Sequence, residues 1–164
     1  MATQIAVVGA SEATARAEAA AEAVGGALAS AGATIICGGL GGVMAGACRG
    51  AKAVGGTTVG ILPGRDPRAA NQWVDVVLPT GLGEARNALV VGAAAVVIAV
   101  DGEYGTLSEI ALALRAGIPV IGVGTWSLVK PDGHKDSGIV PIGDPQEAAA
   151  TALRLATARL ASSG

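Results

Sequence analysis

Arg86 and Glu109 are the two side chains in this sequence best suited to act on a phosphorylated ligand. A guanidinium near the start of a helix, as at Arg86, can bind a phosphate or steady a carboxylate through two parallel hydrogen bonds. A carboxylate such as Glu109, at the mouth of a site, can hold a ribose hydroxyl or act as a general acid or base. Each residue also has a structural explanation. Arg86 can be a solvated helix residue paired with Glu84, and Glu109 can close a capping box that begins at Thr106.

Two glycine-rich stretches, residues 38–42 (GGLGG) and 102–106 (GEYGT), each lead into an apolar helical run. Glycine lets backbone N–H groups approach an anion closely, and the dipole of a helix favours negative charge at its start. Both stretches are therefore candidate phosphate cradles. Glycine-rich turns also serve the close packing of a strand on a helix, and the chain contains 26 glycines, so this alternative stays open.

The elements that position these residues alternate along the chain. Strands are predicted at 4–9, 33–37, 57–62, 74–78, 96–100 and 118–123, with a short apolar run near 139. Helices are predicted at 12–31, 43–54, 83–94, 104–116 and 145–160, with Ser11 capping the first and Asp144 the last. Uninterrupted apolar strands are typical of a parallel sheet covered on both faces. We expect one Rossmann-like, doubly wound α/β domain over residues 1–164, with a mainly parallel sheet of six or seven strands.

Composition and charge argue against a nucleic-acid-binding protein and against a membrane protein. A formal net charge of −2 with 15% charged residues gives no basic surface for nucleic acid or a membrane. The longest apolar run, 88–100, is shorter than the ~18–20 residues that span a bilayer, and the N-terminus lacks signal-peptide features, so a cytoplasmic protein is expected. Cys37 and Cys48 have no partners at ligand spacing, which predicts two small buried side chains and no metal site.

In their order along the chain, the motifs resemble those of the LOG-like family, which also carries a lysine decarboxylase-like label. They are residues 38–44 (GGLGGVM), 60–63 (GILP), Arg86-Asn87 and 102–109 (GEYGTLSE). The resemblance runs from the first strand to about Trp126 and implies a Rossmann-like fold that is dimeric or higher. The family's enzymes are phosphoribohydrolases that cut the N-glycosidic bond of nucleoside 5'-monophosphates. A related branch, the molybdenum cofactor carrier proteins, binds a phosphorylated pterin.

The sequence departs from the enzymes' motif, Pro-Gly-Gly-x-Gly-Thr-x-x-Glu, at two positions. Asp101 stands in place of the proline and Glu103 in place of the second glycine, and Asn87 stands where the enzymes have lysine. These changes add acid and remove base beside a phosphate cradle, so they weaken the hydrolase assignment more than they weaken binding. The two acidic side chains must point away from the ligand or pair with a cation. The candidate cations are Arg49, Lys52 and Arg65.

The loops and the resemblance together imply a ligand site at the carboxyl ends of the strands. Its catalytic candidates are Arg86 and Glu109. Its candidate ligand- and phosphate-binding residues are Gly9, Ser11, Gly38, Gly39, Gly41, Gly42, Met44, Arg86, Asn87, Gly102, Glu103, Tyr104, Gly105 and Thr106.

The function that these observations favour is binding of a phosphorylated nucleotide or pterin-type cofactor, as in a molybdenum cofactor carrier. The alternative is a phosphoribohydrolase acting on a cytokinin riboside monophosphate or an AMP-like substrate, with no cofactor required for catalysis. A third hypothesis is that the chain is a sensing or structural subunit in which the glycines serve packing alone. Lysine decarboxylation has the least support, because no lysine lies in a convincing Schiff-base setting.

The apolar helix at 88–94 also predicts self-association, as a homodimer or homotetramer.

Overall fold

The computed structural model describes residues 2–162, which are built on a seven-stranded sheet in which all strands are parallel. The strand order is β4-β3-β2-β1-β5-β6-β7. The chain runs outward from β1 to β4, returns to the other side of β1, and runs outward again, which places a topological switch point between β1 and β5. This confirms the predicted doubly wound α/β fold. The strands are β1 (Gln4–Gly9), β2 (Thr34–Cys37), β3 (Thr58–Leu62), β4 (Val76–Pro79), β5 (Val96–Val100), β6 (Val120–Val123) and β7 (Ile139–Pro141).

Five α-helices cover the two faces of the sheet. They are α1 (Ala15–Ser30), α2 (Gly42–Ala53), α3 (Asn87–Gly92), α4 (Tyr104–Arg115) and α5 (Pro145–Ser162). Helices α1, α2 and α5 share one hydrophobic core with the sheet, and α3 and α4 share the other. Two 3₁₀ turns, Pro67–Ala69 and Gly83–Arg86, complete the described elements.

The central strands are buried on both faces. In β1, Ile5 and Val7 belong to the core under α1, α2 and α5, whereas Ala6 and Val8 belong to the core under α3 and α4. Successive side chains of a strand point to opposite faces. A strand covered on both sides therefore needs an apolar residue at every position. For this reason the sequences of these strands are unbroken apolar runs.

Glycine lets α1 and α2 approach each other closely. A Cβ added to Gly25 would overlap the backbone of Ala47, and one added to Gly50 would overlap the backbone of Glu22. Many of the chain's glycines and alanines therefore serve helix packing. The close pairing of α1 and α2 holds their N-terminal ends together at the carboxyl edge of β1 and β2.

The structure corrects two predicted helix starts. Helix α1 begins at Ala15 and is capped by Thr14, whose Oγ1 accepts the Ala17 N–H at 3.2 Å, so Ser11 is not the N-cap. The helix predicted from Gly83 to residue 94 is wrong in its first part. A 3₁₀ turn occupies Gly83–Arg86, where Gly83 has a φ of +57°, and α3 begins only at Asn87.

Within residues 2–162, no helix is both long and apolar enough to cross a membrane. Cys37 and Cys48 are buried, as predicted, and are free thiols whose Sγ atoms lie 3.5 Å apart. No group of three or more metal-ligating His, Cys, Asp or Glu side chains occurs in this described range. That residues 1–164 form a single domain stays a prediction.

Candidate functional site

A cavity of about 380 Å³ opens at the carboxyl edge of the sheet, at the switch point between β1 and β5. Residues from both glycine-rich stretches line it together with Arg86, so the two predicted cradles face one space. The lining residues are Val8, Gly9, Ala10, Ser11, Glu12, Gly38, Leu40, Met44, Glu84, Arg86, Asn87, Glu103, Gly105, Thr106 and Glu109.

The polar lining falls into two parts. The floor consists of buried side chains: Arg86, Asn87, Thr106 and Glu109. The rim carries three exposed carboxylates, here called the rim carboxylates: Glu12, Glu84 and Glu103.

Arg86 is the central side chain of the floor. It ends the 3₁₀ turn, and only 6% of its surface is exposed. Its Nη1 donates a hydrogen bond to Asn87 Oδ1 at 2.9 Å. Its buried Nε has no hydrogen-bond partner among residues 2–162. A buried donor without an acceptor destabilises a protein by ~1–3 kcal/mol, and more when the group is charged, so the floor holds a cation whose hydrogen-bonding capacity the described residues do not fill.

Asn87 ties Arg86 to the start of α4. Its Nδ2 donates to Ser108 Oγ at 2.9 Å and, at 3.3 Å, to Glu84 Oε2. Ser108 Oγ in turn donates to the Gly105 carbonyl at 2.7 Å. This network fixes the guanidinium relative to the first turn of α4.

Glu109 faces Arg86 but is not a full counter-ion to it. The Oε1 and Nη1 atoms are 3.6 Å apart, longer than a normal hydrogen bond. Burial raises the pKa of Glu109 to about 8, and Glu84 adds to the rise, while Arg86 opposes it. The desolvation of the carboxylate outweighs the attraction of the nearby guanidinium. At pH 7 Glu109 is therefore mostly protonated, and the Arg86 charge is left largely uncancelled.

Gly38 and Gly42, both in the first glycine-rich stretch, have different structural roles. A Cβ on Gly38 would lie 2.6 Å from Arg86 Nη1 and 2.7 Å from Met44 Sδ, so glycine makes room for the guanidinium there. Gly42 has a φ of +58°, and a Cβ on it would overlap the Ala10 carbonyl oxygen. The stretch thus borders the cavity at its beginning and packs against the β1–α1 loop at its end.

The structure brings most of the predicted site residues to the cavity. Those that line it are Gly9, Ser11, Gly38, Met44, Arg86, Asn87, Glu103, Gly105, Thr106 and Glu109. Those outside the lining are Gly39, Gly41, Gly42, Gly102 and Tyr104. The Gly39 N–H donates to Cys37 Sγ at 3.3 Å, and Tyr104 is 79% exposed with its ring centroid 5.8 Å from that of Trp126. A binding role for any of these residues stays a prediction.

The capping box that Thr106 and Glu109 could form, considered as the structural alternative for Glu109, does not occur. Helix α4 begins at Tyr104 with Glu103 at its N-cap, so Thr106 lies inside the first turn and is buried. With α4 starting at Tyr104, as predicted, Glu109 faces the cavity and Arg86 instead of the helix terminus.

Two of the cations considered for Asp101 and Glu103 are engaged elsewhere. Arg49 pairs with Glu22 at 2.8 Å, and Lys52 pairs with Asp75 at 2.7 Å. Asp101 does not line this cavity, whereas Glu103 does.

Sequence reasoning missed five lining residues: Val8, Ala10, Glu12, Leu40 and Glu84. Ala10, Glu12 and Leu40 adjoin predicted residues in the loops after β1 and β2, and Val8 lies in β1 directly before Gly9. Glu84 was considered only as a partner for Arg86. Its bond to Asn87 and its place on the rim depend on the 3₁₀ turn, which the sequence did not predict.

Comparison with known proteins places the chain in a family. Residues 2–149 match the SLOG cluster4 family, and the chain belongs to it. A 114-residue segment is 44% identical to an uncharacterized protein of Archaeoglobus fulgidus, covering 70% of this chain and 75% of that protein.

Two solved structures with this fold carry names that describe a ligand. The chain is similar to the molybdenum cofactor binding protein of the phototrophic bacterium Rippkaea orientalis, with a TM-score of 0.83 and 32% identity over 94% of this chain and 96% of that one. It is also similar to the Moco carrier protein of Chlamydomonas reinhardtii, with a TM-score of 0.82 and 32% identity over 96% of this chain and 99% of that one. The predicted resemblance to a carrier-like branch is confirmed.

Proposed function

We propose that this protein binds a phosphorylated nucleotide or pterin-type cofactor in the cavity at the switch point, with the anionic group on the floor. The observation that carries the proposal is the Nε of Arg86, a buried cationic donor without a partner in the described chain. Similarity to proteins named for molybdenum cofactor binding supports the same ligand class.

The floor offers three kinds of contact to a phosphate. Arg86 supplies charge and donors, and the start of α4 at Gly105 supplies the positive end of a helix dipole. Glu109, protonated at pH 7 because burial raises its pKa to about 8, can donate its O–H to a phosphate oxygen. A neutral Glu109 thus assists the anion that an ionised one would repel.

Native mass spectrometry with a panel of nucleoside monophosphates tests this proposal. The wild-type protein is expected to retain a phosphorylated ligand, and Arg86→Ala is expected to lose it. Arg154→Ala, which removes an exposed arginine on α5, serves as the matched control and should behave as wild type. Equal retention by wild type and Arg86→Ala contradicts the proposal.

A second candidate function, hydrolysis of the N-glycosidic bond, is favoured by Glu109. A carboxyl with a pKa of about 8 is still protonated at neutral pH, so it can deliver a proton to a departing base. Release of ribose 5-phosphate from a nucleoside monophosphate, abolished in Glu109→Ala, would establish this activity. Absence of release by the wild-type protein contradicts it.

We also propose that the chain forms a homodimer or homotetramer. Leu89 on α3 and Leu112 on α4 are 46% and 37% exposed on the same side of the sheet. Light scattering should report a multiple of the chain mass at micromolar concentration, and a monomer contradicts the proposal. The cytoplasmic location expected from the sequence stays a prediction.

A further inference from the structure

The charges around the cavity are separated by depth. The floor holds the one lining cation, Arg86, and the rim holds the three rim carboxylates. A small inorganic anion entering this cavity would be attracted by the floor and repelled by the rim. A ligand that suits both parts has an anionic end and, some distance away, a group rich in hydrogen-bond donors.

Among the residues of the rim carboxylates, Glu103 has its backbone held in place by the fold. Its backbone carbonyl accepts a hydrogen bond from Trp126 Nε1 at 3.3 Å, and its backbone forms the N-cap of α4. Its side chain makes no capping hydrogen bond, and neither a hydrogen bond nor an ion pair joins it to another described residue. Glu103 therefore presents an unused acceptor to the cavity.

The side chains of the other two rim carboxylates differ in whether the protein already engages them in hydrogen bonds. Glu12 is exposed and has no hydrogen bond or ion pair within the described chain. Glu84 is partly engaged, because Asn87 Nδ2 lies 3.3 Å from its Oε2. Glu12 is therefore the second acceptor that a ligand can use.

We propose that Glu103, assisted by Glu12, recognises the donor edge of a flat heterocycle that carries both a ring N–H and an adjacent amino group. This 2-amino-4-oxo edge is shared by guanine and the pterins. The inference rests on the proposed function, because the phosphate of the same ligand lies on the floor. The unpartnered Nε of Arg86 supports an anionic end on the floor.

The hydrogen-bond donors on the 2-amino-4-oxo edge explain why a carboxylate would recognise it. A carboxylate has two oxygens that accept parallel hydrogen bonds from a neighbouring N–H and NH₂. Hypoxanthine keeps the ring N–H but lacks the amino group, so one bond is lost. Adenine places a ring-nitrogen acceptor beside its amino group, so one carboxylate oxygen faces a lone pair. The rim therefore distinguishes rings that a phosphate site alone would treat alike.

Calorimetric titration with GMP, IMP, AMP and inorganic phosphate, in buffer containing EDTA, tests the inference. GMP should bind about tenfold more tightly than IMP, and IMP more tightly than AMP. Glu103→Gln should weaken GMP binding about tenfold while strengthening phosphate binding about twofold, because a repelling charge is removed. Glu147→Gln, which changes an exposed glutamate in the first turn of α5, is the matched control and should change neither. A local folding defect would weaken both ligands together.

Four results would overturn the inference. Equal affinities of the wild-type protein for GMP, IMP and AMP would show that the protein does not recognise the edge of the ring. A uniform loss of affinity for every ligand in Glu103→Gln would show a structural role. GMP binding that appears only when Mg²⁺ replaces EDTA would show that the rim holds a cation instead. Failure of all four ligands to bind the wild-type protein would contradict the anion-binding floor on which the proposed function rests, and the inference with it.

Discussion

The floor and the rim of the cavity differ in what surrounds their charges. On the floor, Arg86 and Glu109 are each 6% exposed, and Asn87 holds the guanidinium by a hydrogen bond. On the rim, Glu12 and Glu103 are exposed, and their side chains make no hydrogen bond to the described protein. Buried charges interact strongly because water does not screen them, whereas exposed charges interact weakly. The floor is therefore expected to set affinity for an anion and the rim to set selectivity.

The largest expected effect comes from removing the buried cation. Arg86→Ala should weaken binding of GMP at least about a hundredfold, because two charge-assisted hydrogen bonds are lost. Calorimetry measures the affinity, and thermal unfolding should show no comparable loss of stability, since the variant also removes an unsatisfied buried group. Arg154→Ala is the control. An affinity within threefold of wild type would show that Arg86 on the floor does not set the affinity for the ligand.

The next effect concerns the protonation of Glu109. Ribose 5-phosphate is a suitable probe, because a phosphate monoester with a second pKa near 6 stays dianionic above pH 7. Between pH 7 and 9 the carboxyl ionises as the pH passes its pKa of about 8, and it then cancels part of the Arg86 charge. Affinity should fall by about tenfold over this range in wild type and stay constant in Glu109→Gln. A pH-independent wild type would contradict the assignment.

The same group predicts a pH dependence of stability. Its pKa is raised from 4.5 to about 8 in the folded chain, so the folded state binds more protons than the unfolded state between these values. This group's contribution to the free energy of unfolding is therefore greatest below pH 4.5, declines as the pH rises to about 8 and is level above it. Glu109→Gln should lack this decline in thermal unfolding at pH 5, 7 and 9. An equal decline in both proteins would assign it to other groups.

A smaller effect is expected at Gly38. Alanine there places a methyl group 2.6 Å from Arg86 Nη1, so the guanidinium must shift. We expect about a fivefold loss of affinity for GMP, because charge is kept but alignment is lost. Gly64→Ala is a matched control, since a Cβ at that position meets no atom within 4 Å. Equal affinities of the two variants would show that the guanidinium tolerates the shift.

The smallest effect is expected at Glu12 on the rim. Glu12→Gln should raise the affinity for inorganic phosphate about twofold to threefold at low salt, and the difference should vanish at about 0.5 M salt because exposed charges are screened. Titrations at two salt concentrations measure it. A change as large as that of Arg86→Ala would erase the distinction between floor and rim.

Much of the fold could be predicted from the sequence, because buried parallel strands such as β5 (VVIAV) are apolar at every position. The edge of the sheet that carries the site followed from the rule that ligands bind at the carboxyl ends of the strands. The convergence of Arg86 and Glu109 could not be derived in this way. It depends on the 3₁₀ turn before α3, where the sequence predicted a longer helix, and on the orientation of Glu109 in α4, where a capping box was an alternative that the sequence left open.

The two glycine-rich stretches show a further limit. In sequence, residues 38–42 and 102–106 look equally suited to hold a phosphate. In the structure, the first places only Gly38 and Leu40 on the cavity, while Gly42 packs against the β1–α1 loop. Whether a glycine faces a ligand or a neighbouring backbone is decided by tertiary contacts, which a local motif does not contain.

The titration of the Glu109 carboxyl, followed by ¹³C NMR with and without ribose 5-phosphate, tests most directly whether an uncancelled buried guanidinium holds an anion. Our account predicts a pKa of about 8 in the free protein and a higher value when the phosphate is bound, because the anion disfavours a second negative charge beside Arg86. A pKa near 4.5 in the free protein, or no change when the phosphate is added, would contradict it.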